Sequence, residues 1–118
     1  MTSATIGATT YHLELTNGRH TFGADEPVSV GGTDLAPAPD ELLEASLASC
    51  AAITLRMYAN RKNWPVDQVT VSVSLQRENG TTVFTETIHI TGSIGPEEKQ
   101  RLVQIARACP VSKSLLGT

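Results

Sequence analysis

A long, nearly continuous run of small and apolar residues in the first half of the chain predicts one long helix. The helix begins at Pro39, because proline suits a first helical turn where its missing N–H is not needed, and it continues to about Asn60 or Asn63. Its middle, residues 42–55, is apolar over most of its circumference, which is typical of a helix buried on more than one side. Cys50 lies in this middle part, on or beside the buried face.

Alternation of apolar and polar residues predicts strands on both sides of this helix. Asn17-Gly18 and Asn79-Gly80 are strong turn signals, and each lies between two extended segments. A second helix is expected to begin at Pro96 and to end at Cys109-Pro110. The predicted extended segments are Tyr11–Leu15, Arg19–Ala24, Val28–Val30, Val69–Gln76 and Thr82–Gly92, and a last short helical turn is predicted at Val111–Leu116.

The order of these elements predicts an α+β fold, with antiparallel β-hairpins around a long central helix and a second, shorter helix. We expect one sheet of four short strands and a single domain over residues 1–118. Such a sheet covers only one side of the long helix. A second subunit would bury the other side of the helix, so the sequence predicts a homodimer.

Charge and composition exclude several classes of partner. The formal net charge is −3, and no basic cluster is longer than Arg61-Lys62, which argues against nucleic acid and acidic membrane surfaces. No apolar run approaches the roughly 18 to 20 residues of a membrane span. The first residues lack the features of a secretory signal, so a cytoplasmic, reducing location is expected, where permanent disulfides are rare.

The two cysteines, Cys50 and Cys109, are the leading candidates for chemistry. A reactive cysteine needs a lowered pKa, access and a neighbouring acid or base, and a second cysteine can resolve the first after oxidation. The alternative is that both are small buried hydrophobic residues without reactivity. Spacing does not decide between these readings, because contact between positions 50 and 109 depends on the fold. The three histidines lack ligand spacing, and no metal or cofactor is expected.

Several segments together resemble the OsmC-like family, which unites osmotically inducible protein C and the organic hydroperoxide resistance proteins. The resemblance extends over roughly residues 10 to 116 and has two cysteine motifs in the same order as the family. The segments that carry it are residues 31–43, Ala48-Ser49-Cys50, residues 57–66 and Ala108-Cys109-Pro110-Val111-Ser112-Lys113-Ser114-Leu115.

The resemblance implies an OsmC-like fold in an intertwined homodimer and thiol-dependent reduction of organic hydroperoxides or hydrogen peroxide in oxidative-stress defence. Cys50 would attack the O–O bond and become a sulfenic acid, and Cys109 would resolve it as a disulfide. A small dithiol or a lipoylated protein would then reduce the pair. The apolar neighbours of Cys50 favour an organic hydroperoxide over hydrogen peroxide.

The resemblance also implies two charged site residues. Asp40 takes the position where the family's peroxidases usually have a glutamate, with Glu41 and Glu44 as nearby alternatives. Arg19 is the candidate for the arginine that stabilises the Cys50 thiolate, with Asp40 holding its guanidinium. Ten helical residues correspond to about 15 Å along the axis, so Asp40 can act only on a Cys50 of the other subunit.

Two other functions compete with the peroxidase. One is a non-enzymatic dimer that binds a small ligand or lipid, which the aspartate at position 40 favours. The other is a thiol redox sensor that acts on a partner protein. The presence of both cysteines favours the peroxidase.

Overall fold

The computed structural model describes residues 1–117 and divides the chain into two compact units, residues 1–43 and Glu44 onward. The α+β class is confirmed. The strands are β1 (Ser3–Ile6), β2 (Leu13–Thr16), β3 (Thr21–Ala24), β4 (Val66–Glu78) and β5 (Thr81–Gly92), and the helices are α1 (Pro39–Lys62), α2 (Pro96–Arg107) and α3 (Pro110–Leu116).

The first unit contains an antiparallel sheet in the order β1-β2-β3. The predicted hairpin at Asn17-Gly18 is confirmed, and the side chain of Asn17 accepts hydrogen bonds from the N–H groups of Arg19 and His20. Strand β1 was not predicted, because its four residues are too few for their alternation to stand out from the sequence around them. The prediction of one four-stranded sheet is wrong, since residues 1–117 form a three-stranded sheet, β1-β2-β3, and a two-stranded sheet, β4-β5.

A buried carboxylate organises the loop that follows β3. Asp25 is only 2% exposed and accepts hydrogen bonds from the Thr33 hydroxyl and from the backbone N–H groups of Glu26 and Leu35. These bonds close the loop and lower the pKa of Asp25 to about 2. The segment Val28–Val30 forms a 3-10 turn within this loop, so the extended conformation predicted there is wrong.

The second unit contains a long β4–β5 hairpin, with 13 and 12 residues in its strands. The turn at Asn79-Gly80 is confirmed, and both residues have the positive φ that a tight hairpin turn requires. One face of the hairpin, including Val71, Val73 and Ile88, packs on the core, while serines and threonines face outward. Strand β4 extends beyond the predicted Val69–Gln76 at both ends, because its pairing with β5 continues there.

The core of the second unit lies between the hairpin and the helices. Helix α1 buries a stripe of residues four positions apart, α2 contributes Leu102 and Ala106, and Cys109 is fully buried with them. A four-residue spacing keeps side chains on one side of a helix. The buried stripe of α1 consists of Leu47, Ala51, Leu55 and Ala59.

Side chains of α1 also bond to the backbone of β4. Glu44 Oε2 accepts a hydrogen bond of 2.8 Å from the N–H of Leu75, and the Arg56 guanidinium donates one of 2.8 Å to the carbonyl of Val66. Among residues 1–117, β4 pairs with β5 alone, so these bonds satisfy backbone groups that no second strand reaches.

A part of α1 remains apolar and exposed. Ile53 and Met57 are 55% and 60% exposed, and with Ala52, Arg56 and Val69 they line a groove of about 430 Å³. Thus the side of α1 that carries Ile53 and Met57 stays open within the second unit. Within residues 1–117, no helix has both the length and the apolar character needed to cross a membrane.

Candidate thiol site

The structure brings Cys50 and Cys109 together. Cys50 lies in the middle of α1 and is partly buried, and Cys109 precedes the first turn of α3 and is fully buried. Both are free thiols, and a hydrogen bond joins their side chains. The expected position of Cys50 beside the buried face of α1 is confirmed, because Ala51 next to it is wholly buried.

Hydrogen bonds favour the thiolate form of Cys50. Burial raises the pKa of its thiol, but hydrogen bonds from the backbone N–H of Val111, from the Cys109 thiol and from the Thr54 hydroxyl outweigh this effect, so that the net pKa is lowered. The Thr54 oxygen lies 4.0 Å from the Cys50 sulfur, one helical turn further along α1. Val111 can donate because the first N–H groups of a helix have no partner within that helix.

The pKa of Cys109 is shifted in the opposite direction, so that its protonated thiol is favoured. Burial raises the pKa of its thiol, and the charges of Cys50 and Glu86 raise it further, although the backbone N–H of Ser112 acts against them. Pro110 stops α2 and starts α3, which places Cys109 between the two helices. The site therefore pairs one thiol that loses its proton readily with one that keeps it.

Glu86 is a charged residue on the inner face of the β4–β5 hairpin. Its neighbours two positions away, Phe84 and Ile88, both pack on the core, so the strand alternation directs Glu86 inward. Burial raises the pKa of its carboxyl, which the charge of Arg107 partly offsets. Its Oε1 atom is buried and has no hydrogen-bond partner among residues 1–117. Such an unsatisfied acceptor is costly and uncommon in a folded protein.

The sequence analysis did not identify Glu86, Thr54 or Val111 as site residues. The signal for Glu86 was present, since it occupies an inward position of the alternating β5 pattern. The role of Val111 is carried by a backbone N–H, which no residue type reveals. Within the second unit, hydrogen bonds to its sulfur lower the pKa of Cys50.

Arg19 and Asp40, the two charged residues expected at the site, belong to the first unit. Arg19 lies exposed in the turn between β2 and β3, and Asp40 lies in the first turn of α1. Their assignment to the thiol site remains a prediction. In the described part of the chain, no group of three or more histidine, cysteine or acidic side chains is arranged to hold a metal ion.

The fold is similar to solved structures from several bacteria. An OsmC-like protein from Mycoplasma pneumoniae is 16% identical with a TM-score of 0.83, covering 100% of this chain and 87% of that one. An organic hydroperoxide resistance protein from Elizabethkingia anophelis is 27% identical with a TM-score of 0.72, covering 99% and 87%. The organic hydroperoxide resistance protein OhrB of Bacillus subtilis is 26% identical with a TM-score of 0.67, covering 100% and 90%.

A search of the curated proteins found no significant match. A family model described as OsmC-like protein matches residues 32–118, which is well over half of the chain and includes both cysteines. This match and the structural likeness confirm the resemblance found in the sequence. The chain belongs to the OsmC-like protein family.

Proposed function

We propose that the protein reduces organic hydroperoxides with its two thiols. The Cys50 thiolate attacks the terminal peroxide oxygen, the O–O bond breaks, and the substrate leaves as an alcohol after taking up a proton. Cys50 becomes a sulfenic acid. The Cys109 sulfur then bonds to the Cys50 sulfur, the S–O bond breaks, and the oxygen leaves as water. A dithiol or a lipoylated protein returns two electrons and restores both thiols.

The unequal pair of thiols carries this proposal. A nucleophile that reacts with peroxide must be a thiolate, and Cys50 is the partly exposed thiol with the lowered pKa. A resolving thiol must wait unreacted beside it, and Cys109 is buried with a raised pKa. The two relatives from Elizabethkingia anophelis and Bacillus subtilis, both named as organic hydroperoxide resistance proteins, support the substrate class.

The exposed apolar face of α1 supports the homodimer. Ile53 and Met57 leave a large apolar area open to solvent, and we propose that a second copy of the chain covers it.

Asp40 and Arg19 enter the proposal through this dimer, since about 15 Å of helix separate Asp40 from the Cys50 of its own chain. Arg19 would stabilise the thiolate of Cys50, and Asp40 would hold the arginine. We further propose that residues 1–118 act as a single domain in the cytoplasm.

Consumption of cumene hydroperoxide tests the function. With dithiothreitol or dihydrolipoamide as reductant, the wild type is expected to consume the peroxide, and Cys50→Ser to show only the rate of the reductant alone. Cys109→Ser is the matched control, because without added reductant it should still reduce one equivalent of peroxide and stop at the Cys50 sulfenic acid. Equal rates for the wild type and Cys50→Ser would refute the peroxidase and favour a non-enzymatic, ligand-binding dimer.

A further inference from the structure

Glu86 is a half-buried titratable group on the inner face of the hairpin that the proposed reaction does not yet use. It lies on β5 opposite Val73 of β4, in a register fixed by the long hairpin. The carboxyl borders a cavity of about 390 Å³, which Phe84, Arg107 and Ser112 also line. Ser112 lies in the first turn of α3, whose N-cap is Cys109, so this cavity borders the segment that carries the thiol. The charge of Glu86 also raises the pKa of Cys109.

We propose that Glu86 is the proton acceptor of Cys109 in the step that forms the disulfide. This inference rests on the proposed peroxidase and assigns a residue to its second half. The observations behind it are the inward direction of Glu86, its buried Oε1, which has no hydrogen-bond partner among residues 1–117, and the cavity that it shares with Ser112 of the Cys109 segment. A carboxylate held without a hydrogen-bond donor is a stronger base than one in water.

The step balances in atoms and electrons. The Cys109 S–H bond breaks and its proton moves to a carboxylate oxygen of Glu86, while the Cys109 sulfur forms the S–S bond with Cys50. The S–O bond of the Cys50 sulfenic acid breaks, and the departing hydroxide takes a proton from the Glu86 carboxyl to leave as water. Glu86 thus returns to its ionised form. The oxidising equivalent comes from the hydroperoxide in the preceding step.

The surrounding groups agree with this role. Cys109 does not ionise readily by itself because burial raises its pKa, so a base is needed to activate it at neutral pH. Burial also raises the pKa of Glu86, which makes the carboxylate a better proton acceptor. Arg107 of α2 is the charged group that opposes this rise, and Val73, opposite on β4, is apolar.

A single-turnover experiment on Glu86→Gln tests the inference. The reduced protein is mixed with one equivalent of cumene hydroperoxide and quenched with acid at intervals, and intact mass separates the Cys50 sulfenic acid from the disulfide. Oxidation of Cys50 should proceed as in the wild type, while disulfide formation should become slower by about a hundredfold. The matched control is Glu78→Gln, an exposed position on β4, which should leave both steps unchanged.

The pH profile distinguishes a proton acceptor from a residue that only supports the fold. In the wild type, disulfide formation should depend only weakly on pH once Glu86 is ionised, because the carboxylate then accepts the proton. In Glu86→Gln the rate should rise about tenfold per pH unit, since hydroxide must then remove the proton. Glu86→Asp, which keeps a carboxylate, should restore part of the rate.

Two outcomes would overturn the inference. One is a disulfide step in Glu86→Gln that keeps the wild-type rate and pH profile. The other is a parallel slowing in Glu86→Asp and Glu86→Gln with unchanged pH dependence, which indicates a packing role. Absence of any Cys50 oxidation in the wild type would instead refute the proposed function itself, so that the two failures are distinguishable.

Discussion

At the scale of single residues, the reactivity of Cys50 depends on donors that surround its sulfur. Val111, Cys109 and Thr54 each contribute a hydrogen bond that favours the thiolate. Two of these three donors belong to the segment around α3, so the thiol in the middle of the long helix is activated by residues about sixty positions later. The chemistry therefore depends on how α3 packs beside α1.

Removal of the Thr54 hydroxyl tests this activation. In Thr54→Val the shape is nearly kept and one donor is lost, so the pKa of Cys50 should rise and its alkylation by iodoacetamide at pH 7 should slow about two- to threefold. The rate is measured from pH 5 to about 10 by mass spectrometry. Thr70→Val, at an exposed position on β4, should not change it. An unchanged profile in Thr54→Val would show that the hydroxyl does not stabilise the thiolate.

Asp25 links the stability of the first unit to pH. Folding lowers its pKa from the ordinary 3.8 to about 2. Its carboxylate therefore stabilises the fold fully above about pH 4, and this contribution is lost as the pH falls towards 2. Urea unfolding should show a lower midpoint for Asp25→Asn than for the wild type at pH 7, and the difference should shrink at pH 3. A difference that stays constant with pH would contradict this assignment.

Sequence reasoning identified the two thiols but not their supporting groups. Cys50 and Cys109 were recognisable because their residue type, order and motifs resemble a family. The donation from Val111 was not recognisable, since it follows from the place where Pro110 starts a new helix. Glu86 was overlooked because a glutamate between two threonines is typical of an exposed strand. Its inward direction follows only from its spacing of two residues from Phe84 and Ile88, which face the core.

At the scale of elements, α1 both fills the core and protects a sheet edge. The predicted helix is confirmed almost to its ends, because Pro39, Asp40 and Glu41 mark its start and Arg61 and Lys62 its end. The use of Arg56 and Glu44 as partners for β4 was not predictable. It depends on the register between the helix and the strand, which no local pattern encodes.

Loss of the Arg56 contacts should destabilise the protein. The guanidinium donates to the carbonyls of Val66 and Asp67 at 2.8 and 3.3 Å. Arg56→Met keeps much of the apolar stem but leaves these carbonyls unpaired, so the free energy of unfolding should fall by about 1–2 kcal/mol. Chemical denaturation measures the change, with Arg61→Met, exposed near the end of the same helix, as the control. A change of similar size in both variants would argue against a specific role for the contacts.

At the scale of the whole molecule, the apolar face of α1 predicts self-association. We expect the wild type to sediment as a dimer and Ile53→Glu to sediment as a monomer, because a charge in an apolar interface is costly. Val83→Glu, which places the same charge at an exposed apolar position on β5, should remain a dimer. If Asp40 acts across the interface, the Ile53→Glu monomer should also lose at least about tenfold in kcat/KM. A monomer with full peroxidase turnover would refute the shared site.

The tight turn at Asn79-Gly80 helps to fix which face of β5 carries Glu86, and so it affects the proposed chemistry. Side chains along a strand alternate between two faces, so the insertion or loss of one residue between Gly80 and Glu86 would reverse every later position. A threonine would then face inward at this position, and the carboxylate would point into water. Changes of even length preserve the inward carboxylate, whereas changes of odd length remove it. Insertions or deletions of odd length near this exposed turn should therefore impair disulfide formation between Cys50 and Cys109, because they remove the proton acceptor.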